Sequence, residues 1–190
     1  MVDLFFLHIP RTGGTAINSL FIHYPFDKNK ITFNSATIIR RTIDKQMPPH
    51  PTLALLSSKG VDLQKYIVFT TIRNPWRAIL SLYFHHRRDK MIPIDYSCQQ
   101  YILSRRWTNY VNLYYEYPSV SSFVLKFETL NIDFRNMFIS LGLSPVDLMY
   151  QVNTVEYDKD NWKNYYNKQC QELVGDVFKE YIEKWGYTFE

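Results

Sequence analysis

Several features that the sequence lacks limit its possible class. Only two cysteines occur, Cys98 and Cys170, and they lie far apart, so no disulfide framework can be inferred and buried, reduced thiols are expected. No apolar run reaches the roughly 18 residues that a membrane-spanning helix needs. The start has neither the basic segment nor the apolar stretch of a signal peptide. We therefore expect a cytoplasmic protein that does not bind membranes.

The charge of the chain is close to balanced. Its 22 basic and 18 acidic residues give a net charge of +4, which favours a small anionic ligand over nucleic acid as the partner. A length of 190 residues predicts a single domain, residues 1–190, with a sizeable core. Fifteen tyrosines within a 17% aromatic content indicate broad half-buried surfaces and rings that can stack on a base or sugar.

Apolar strands alternate with amphipathic helices along the chain. Strands are predicted over residues 3–9, 31–33, 65–72 and 121–127. Helices are predicted over residues 14–24, 75–88, 96–116 (capped by Asp95), 134–141 and 162–185, the last with a break near Gly175 and a cap at Gly186. Residues 35–45 stay ambiguous, and 52–64 form a short helix or a loop. This alternation predicts an α/β fold with three α/β/α layers and a central parallel sheet.

The first strand runs into a loop suited to an anion. Arg11, Thr12, Gly13, Gly14 and Thr15 follow the strand directly, and a helix begins within them. Backbone N–H groups at a helix N-terminus, two hydroxyls and a guanidinium together favour a phosphate or sulfate. The alternative is an ordinary Gly-Gly turn beside a solvated arginine. No lysine follows the glycines, which disfavours an ordinary P-loop NTPase.

A second arginine, Arg73, stands where the strong strand 65–72 ends. Ser81 comes eight residues later, within the first turns of the following helix. A guanidinium and a hydroxyl in these positions can bind one phosphate beside the helix. Alternatively, Arg73 pairs with a carboxylate and Ser81 bonds back to its own helix.

Both segments resemble motifs of the sulfotransferases that use 3′-phosphoadenosine 5′-phosphosulfate (PAPS). His8 to Thr15, H-I-P-R-T-G-G-T, is similar to the 5′-phosphosulfate loop of the carbohydrate type, H-I-P-K-T-G-G-T. Ile72 to Tyr83 resembles the 3′-phosphate motif R-[ND]-P-x-x-R-x-x-S-x-Y, with the same arginine–serine spacing of eight. Softer similarities, L-K-F-E-T-L at 125–130 and K-W-G-Y at 184–187, extend the resemblance along nearly the whole chain.

The resemblance implies a P-loop-like sulfotransferase fold and a set of site residues. The 5′-phosphosulfate would be held by Arg11, Thr12, Gly13, Gly14, Thr15 and Ala16. Arg73 and Ser81 would hold the 3′-phosphate. The reaction implied is in-line transfer of the sulfuryl group from PAPS to an acceptor hydroxyl, with adenosine 3′,5′-bisphosphate (PAP) as the product and no metal.

Arg11 departs from the family, which usually has lysine at this position. Arginine cannot give up its proton in a protein, so it is interpreted as a fixed charge clamp on the leaving oxygen. The substitution is interpreted as tolerable; the alternative is a weak or inactive member of the family.

The acceptor hydroxyl needs a general base, for which His50 is the candidate. It lies in the rigid segment Pro48-Pro49-His50-Pro51 and loosely matches the position of a catalytic histidine in the family. The alternatives are a loop histidine without a role, and Glu128 as the base. His8 is interpreted as structural. Four arginines are candidates for the rim of an anionic acceptor site, or are simply solvated: Arg40, Arg41, Arg87 and Arg88.

Three functions remain open at this stage. The first choice is a sulfotransferase acting on a carbohydrate such as a glycan. The second is a nucleotide or phosphoryl-transfer enzyme with an atypical loop, and the third is a non-catalytic nucleotide-binding relative. A small alcohol, a phenol and a peptide tyrosine stay open as alternative acceptors, and the oligomeric state and the residues that stack on adenine are not predicted.

Overall fold

The computed structural model describes residues 1–27, 29–148 and 157–190. The strands are β1 Val2–Leu7, β2 Ile31–Ser35, β3 Ile67–Ile72 and β4 Phe123–Lys126. The α-helices are α1 Gly14–His23, α2 Ala36–Thr42, α3 Leu53–Ser58, α4 Pro75–Arg88, α5 Cys98–Leu103, α6 Val111–Val120, α7 Leu130–Ser140, α8 Lys168–Val177 and α9 Lys179–Trp185. Short 3-10 helices cover Leu63–Lys65, Arg106–Tyr110, Phe127–Thr129 and Trp162–Tyr165.

The four strands form one parallel sheet in the order β2-β1-β3-β4. In the register, Val2 of β1 pairs with Ile31 of β2, and Leu4 of β1 pairs with Ile67 of β3. Because all the strands are parallel, their carboxyl ends lie at one edge, where ligands of such sheets bind. The predicted α/β class with a central parallel sheet is confirmed.

The chain divides into two compact units, the first of which contains the sheet. It comprises residues 1–72 and the described part of 113–152. One apolar core of this unit joins one face of the sheet to α1 and α7, as alternate residues of β1 and β3 point to that face. The core members are Leu4, Phe6, Ile17, Leu20, Ile31, Phe69, Leu125, Phe134, Met137 and Phe138.

The second unit comprises residues 73–112 and the described part of 153–190. Helices α4 and α8 pack together here, and the Trp76 indole N–H donates to the Gln171 carbonyl at 3.0 Å. Cys98 and Cys170 are both buried as free thiols in this unit, as expected. Burial raises the pKa of the Cys98 thiol to about 12, so it stays protonated.

Two predicted helices are wrong in their extent. The helix predicted over 96–116 is instead α5, a 3-10 helix and α6. Ser97 rather than Asp95 caps α5, through a capping box with Gln100, and Arg105 leaves the helix with a left-handed φ of 56°. The C-terminal helix begins only at Lys168, after a 3-10 helix over Trp162–Tyr165, and it breaks at Phe178, whereas Gly175 lies inside α8. Gly186 caps α9 with a φ of 67°, as predicted.

The other boundaries agree with the predictions to within a few residues. Among residues 35–45, where the pattern is ambiguous, Ser35 caps α2 by accepting the Ile38 N–H. Helix α7 begins at Leu130, earlier than predicted. No helix of the described chain combines the length and the apolar composition that crossing a membrane requires.

Candidate anion-binding site

The loop between β1 and α1 has an unusual backbone. Arg11 adopts a left-handed φ of 64°, which is rare for a residue with a side chain. Gly13 follows with φ 90° and ψ 2°, and α1 begins at Gly14. The first helical bond of α1 runs from the Ala16 N–H to the Gly13 carbonyl at 3.0 Å. The preceding N–H groups lie in the first turn, where an α-helix offers no internal acceptor.

The Thr12 side chain is bound within the protein. It is fully buried, its hydroxyl donates to the Ile9 carbonyl at 2.7 Å, and its Oγ1 lies 2.6 Å from the Thr71 Oγ1. The predicted role of Thr12 in binding the donor stays a prediction. These contacts favour a contribution through the loop backbone rather than through the hydroxyl. Thr15 and Ala16 are half-buried in the first turn of α1.

Both glycines are packed against protein side chains. A Cβ on Gly14 would lie 2.0 Å from Cδ2 and 2.5 Å from Cγ of the His8 ring. A Cβ on Gly13 would lie 2.7 Å from Cδ2 of Leu130. Glycine at these positions would also suit close approach of a ligand to the backbone. The contacts with His8 and Leu130 supply a sufficient reason within the protein itself.

A buried polar network supports the first turn of α1 from the side of β2. The Asn18 amide donates to the Gly14 carbonyl at 2.9 Å, and the Ser35 hydroxyl donates to the Asn18 Oδ1 at 2.7 Å. Ser35 in turn accepts the Ile38 N–H that begins α2. The end of β2 thus helps to hold the loop, a link that the sequence pattern did not reveal.

His50 lies beside the same loop. Its Nδ1 is 2.7 Å from the His8 carbonyl oxygen, and the two imidazole rings meet edge to face with centroids 4.6 Å apart. A carbonyl can only accept, so Nδ1 carries the hydrogen of this bond. In the neutral ring Nε2 then holds the lone pair, which is the tautomer that a general base needs.

The surroundings of His8 are electropositive. The pKa of His8 is held well below its ordinary value of 6.5. The main cause is burial of the ring, followed by the charges of the nearby His50 and Arg11. Its ring also stacks on Phe6 with centroids 5.6 Å apart. His8 therefore stays neutral in the folded protein, and the fixed charge of the nearby Arg11 favours a bound anion. The structural role predicted for His8 agrees with this packing.

Two tyrosines on α6 form hydrogen bonds to the Arg11 loop and to the segment that contains His50. The Tyr114 hydroxyl donates to the Pro10 carbonyl at 3.3 Å, and the Tyr117 hydroxyl donates to the carbonyl of Pro51, next to His50. Burial raises the pKa of Tyr117, so its hydroxyl remains a donor. Sequence reasoning missed both residues, although their spacing of three on a helix was a usable signal.

The second predicted anchor belongs to the other unit. Arg73 is the first residue after β3 and is only 8% exposed. The Tyr181 hydroxyl of α9 accepts the Arg73 N–H at 3.2 Å and donates to the Arg73 carbonyl at 3.1 Å. Ser81 is buried in the second turn of α4. Asn74 caps α4 through the Arg77 N–H and donates to the Thr188 carbonyl at 2.8 Å.

The other histidines of the chain and the remaining candidates differ in their surroundings. His23 is exposed, whereas the buried His86 has its Nδ1 3.0 Å from the Tyr101 hydroxyl. The His85 Nδ1 lies 3.3 Å from an Asp89 oxygen. Glu128 is exposed in the 3-10 helix after β4. The four candidate rim arginines are exposed: Arg40, Arg41, Arg87 and Arg88. Within the described ranges, no cluster of three or more His, Cys, Asp or Glu side chains is placed to hold a metal.

Comparison with known proteins gives a match at the level of the fold. No family model and no curated protein sequence matches the chain. Among solved structures, the fold is similar to that of mouse sulfotransferase SULT7A1, in a crystal structure complexed with PAP, with a TM-score of 0.63 and 16% sequence identity. The match covers 95% of this chain and 84% of that chain. The predicted P-loop-like sulfotransferase fold is therefore confirmed.

Proposed function

We propose that this protein is a PAPS-dependent sulfotransferase that transfers a sulfuryl group to a hydroxyl of a carbohydrate. The observation that carries the proposal is the position of His50, bonded through Nδ1 to the residue that enters the Arg11 loop. A candidate base, a fixed cation and a helix N-terminus then belong to one small region of the first unit. The fold match to a sulfotransferase whose structure holds PAP supports the nucleotide assignment.

The 5′-phosphosulfate is assigned to the loop of residues 11–16. An anion suits this loop because Arg11, which after burial and His50 contributes to the lowered pKa of His8, attracts negative charge. The left-handed turn at Arg11 and the first turn of α1 add backbone N–H groups. Arg11 keeps its charge throughout, so it can stabilise the leaving phosphate oxygen without donating a proton.

The 3′-phosphate is assigned to Arg73 and Ser81 of the second unit. Both residues are buried, which distinguishes them from solvated surface residues. The two bonds between Tyr181 and the Arg73 backbone fix the point from which the guanidinium extends. The sequence spacing of eight, shared with the family motif, supports the pairing of these two residues.

In the proposed reaction the acceptor oxygen attacks sulfur as the bond between sulfur and the 5′-phosphate oxygen breaks. The Nε2 of His50 takes the acceptor proton, and PAP is the other product. The bond from Nδ1 to the His8 carbonyl holds the ring in the required tautomer and stabilises the imidazolium that forms. Because His8 itself stays neutral, it adds no charge to repel that imidazolium.

The carbohydrate acceptor rests on the loop letters H-I-P-R-T-G-G-T, which are similar to those of carbohydrate sulfotransferases. The exposed arginines of α2, Arg40 and Arg41, suit an acceptor that carries carboxylates or sulfates. The acceptor class is therefore tested separately, in the second experiment below.

The first test measures thermal stabilisation by PAP and by ATP with Mg²⁺. We expect stabilisation by PAP in the wild type. Arg73→Ala should weaken PAP affinity at least about 30-fold, as loss of one partner of a buried charged contact does. The exposed Arg106→Ala is the matched control and should bind as the wild type does. Stabilisation by ATP with Mg²⁺ alone would favour a phosphoryl-transfer enzyme and contradict the proposal.

The second test measures transfer of labelled sulfate from PAPS to glycans, phenols and simple alcohols. His50→Ala should keep PAP affinity and lower turnover about a hundredfold or more, as loss of a general base does. His23→Ala, an exposed histidine on α1, is the control and should keep full activity. PAP binding without transfer to any acceptor would indicate a non-catalytic relative, and full activity of His50→Ala would refute the base assignment.

A further inference from the structure

A directed chain of buried hydroxyls joins β3 to the Arg11 loop. Thr12 and Thr71 are both fully buried, with their Oγ1 atoms 2.6 Å apart. Thr12 has a single hydroxyl proton, which it donates to the Ile9 carbonyl at 2.7 Å. Thr71 must therefore be the donor to Thr12. The order of the chain is Thr71 to Thr12 to the Ile9 carbonyl.

This chain closes the turn that contains Arg11. The bond from the Thr12 side chain to Ile9 spans Pro10 and Arg11, so it fixes the ends of the segment in which Arg11 holds its left-handed φ of 64°. That backbone conformation is unfavourable for a residue with a Cβ and persists only where neighbouring contacts determine it. Thr71 lies on β3, a central strand of the sheet. Its hydrogen bond to the Thr12 hydroxyl holds Thr12 in the rotamer that bonds to the Ile9 carbonyl.

We propose that Thr71 is a positioning residue for the 5′-phosphosulfate loop. It acts through Thr12 and sets the direction in which Arg11 and the adjoining N–H groups face the anion. The inference rests on the proposed function for the identity of that anion. Its structural part, that Thr71 orders the loop, can be measured without any ligand.

The neighbouring Thr70 provides a matched control. It is equally buried in β3, and its hydroxyl donates at 2.6 Å to the Leu7 carbonyl of β1. Thr70→Val and Thr71→Val each remove one buried hydroxyl from the same strand with little change in volume. Only the second breaks the chain to Thr12.

The ligand experiment compares two probes by calorimetry. Adenosine 3′,5′-bisphosphate carries a 5′-phosphate for the loop, and adenosine 3′-phosphate lacks it. Thr71→Val should weaken binding of the first about tenfold, the equivalent of one hydrogen bond, and leave binding of the second unchanged. Thr71→Ser, which keeps the hydroxyl, should restore the affinity. Thr70→Val should change neither affinity.

The ligand-free experiment measures hydrogen exchange of the amides at positions 11–14. Thr71→Val should speed exchange there about tenfold, and Thr70→Val should not. Faster exchange in a protein that binds no bisphosphate would refute the proposed function while upholding the role of Thr71. Unchanged exchange in Thr71→Val, or an equal loss of affinity for both probes, would overturn the positioning role.

Discussion

The contact between Gly14 and His8 predicts that a normally favourable substitution destabilises this protein. Gly14 begins α1, and its φ lies outside the left-handed region, so alanine fits the backbone there. The new Cβ, however, would lie 2.0 Å from Cδ2 and 2.5 Å from Cγ of His8. Because Cγ is the first atom of the ring, a small tilt of the imidazole cannot relieve the overlap. The whole His8 side chain must move.

The expected magnitude follows from two opposing terms. Overpacking of a well-packed site destabilises by about 1–3 kcal/mol. Replacing glycine by alanine in a helix stabilises by at most about 1 kcal/mol. His8 is confined by Phe6 on one side and His50 on the other, so relaxation is limited. We expect Gly14→Ala to lower the free energy of unfolding by about 1–2 kcal/mol, or the melting temperature by about 3–6 °C.

A double-mutant cycle tests the cause of this loss. Thermal and urea unfolding are measured for Gly14→Ala, His8→Ala and the double variant. Removing the ring of His8 takes away the overlap, so Gly14→Ala should be neutral or stabilising in the His8→Ala background. The coupling between the two changes should be about 1–2 kcal/mol, in the range that contacting residues show.

Gly175 supplies a control within the same chain. It lies inside α8, and a Cβ there would meet Cζ2 of Trp76 at 3.5 Å, an ordinary contact. Gly175→Ala should stabilise by up to about 1 kcal/mol. If Gly14→Ala were as stabilising as Gly175→Ala, or equally harmful with and without the His8 ring, the packing argument would be wrong.

Two further predictions concern protonation of His8 and the anchoring of Arg73. Because the pKa of His8 is lowered on folding, only the unfolded chain takes up this proton as the pH falls below 6.5, and stability should fall by up to about 1.4 kcal/mol per pH unit. The loss of unfolding free energy between pH 7.5 and pH 5.5, measured by urea unfolding, should be smaller in His8→Ala than in the wild type. Tyr181→Phe removes two bonds to the Arg73 backbone and should weaken PAP binding about tenfold by calorimetry; an unchanged affinity would contradict that anchoring.

The parts of the fold predicted from sequence are those with strong local signals. β1 and β3 are mostly apolar and largely buried, and Pro75 after Asn74 indicates the start of α4. The prediction for the segment after Asp95 was wrong because the local rules allow several N-cap residues there. Only Ser97 has Gln100 three residues later, the spacing that a capping box needs. The break at Phe178 has no glycine or proline to indicate it. Phe178 is itself buried, so tertiary packing rather than local preference accompanies the break.

The residues of the candidate site likewise divide into those with strong local signals and those that only long-range contacts identify. Arg11, the two glycines and Arg73 stand out because strand, loop and helix signals surround them. The contacts of Thr12 with Thr71 and of His50 with His8 join residues far apart in the chain. No local periodicity encodes such pairs, so sequence reasoning could name His50 but could not state which nitrogen is held.

Arg11 stands where the similar loop of carbohydrate sulfotransferases has lysine. The charges around the loop give a reason for this difference. Arginine keeps its proton at every accessible pH, and the pKa of His8 is too low for it to hold a proton near neutrality. Neither group can therefore exchange a proton with the reacting atoms, whereas His50, with Nδ1 already donated to a carbonyl, can accept one at Nε2. In the proposed reaction, charge stabilisation and proton transfer are thus assigned to different residues. An enzyme with this division tolerates arginine in the loop, because the rate then depends on His50 as the proton acceptor and only on the charge of residue 11.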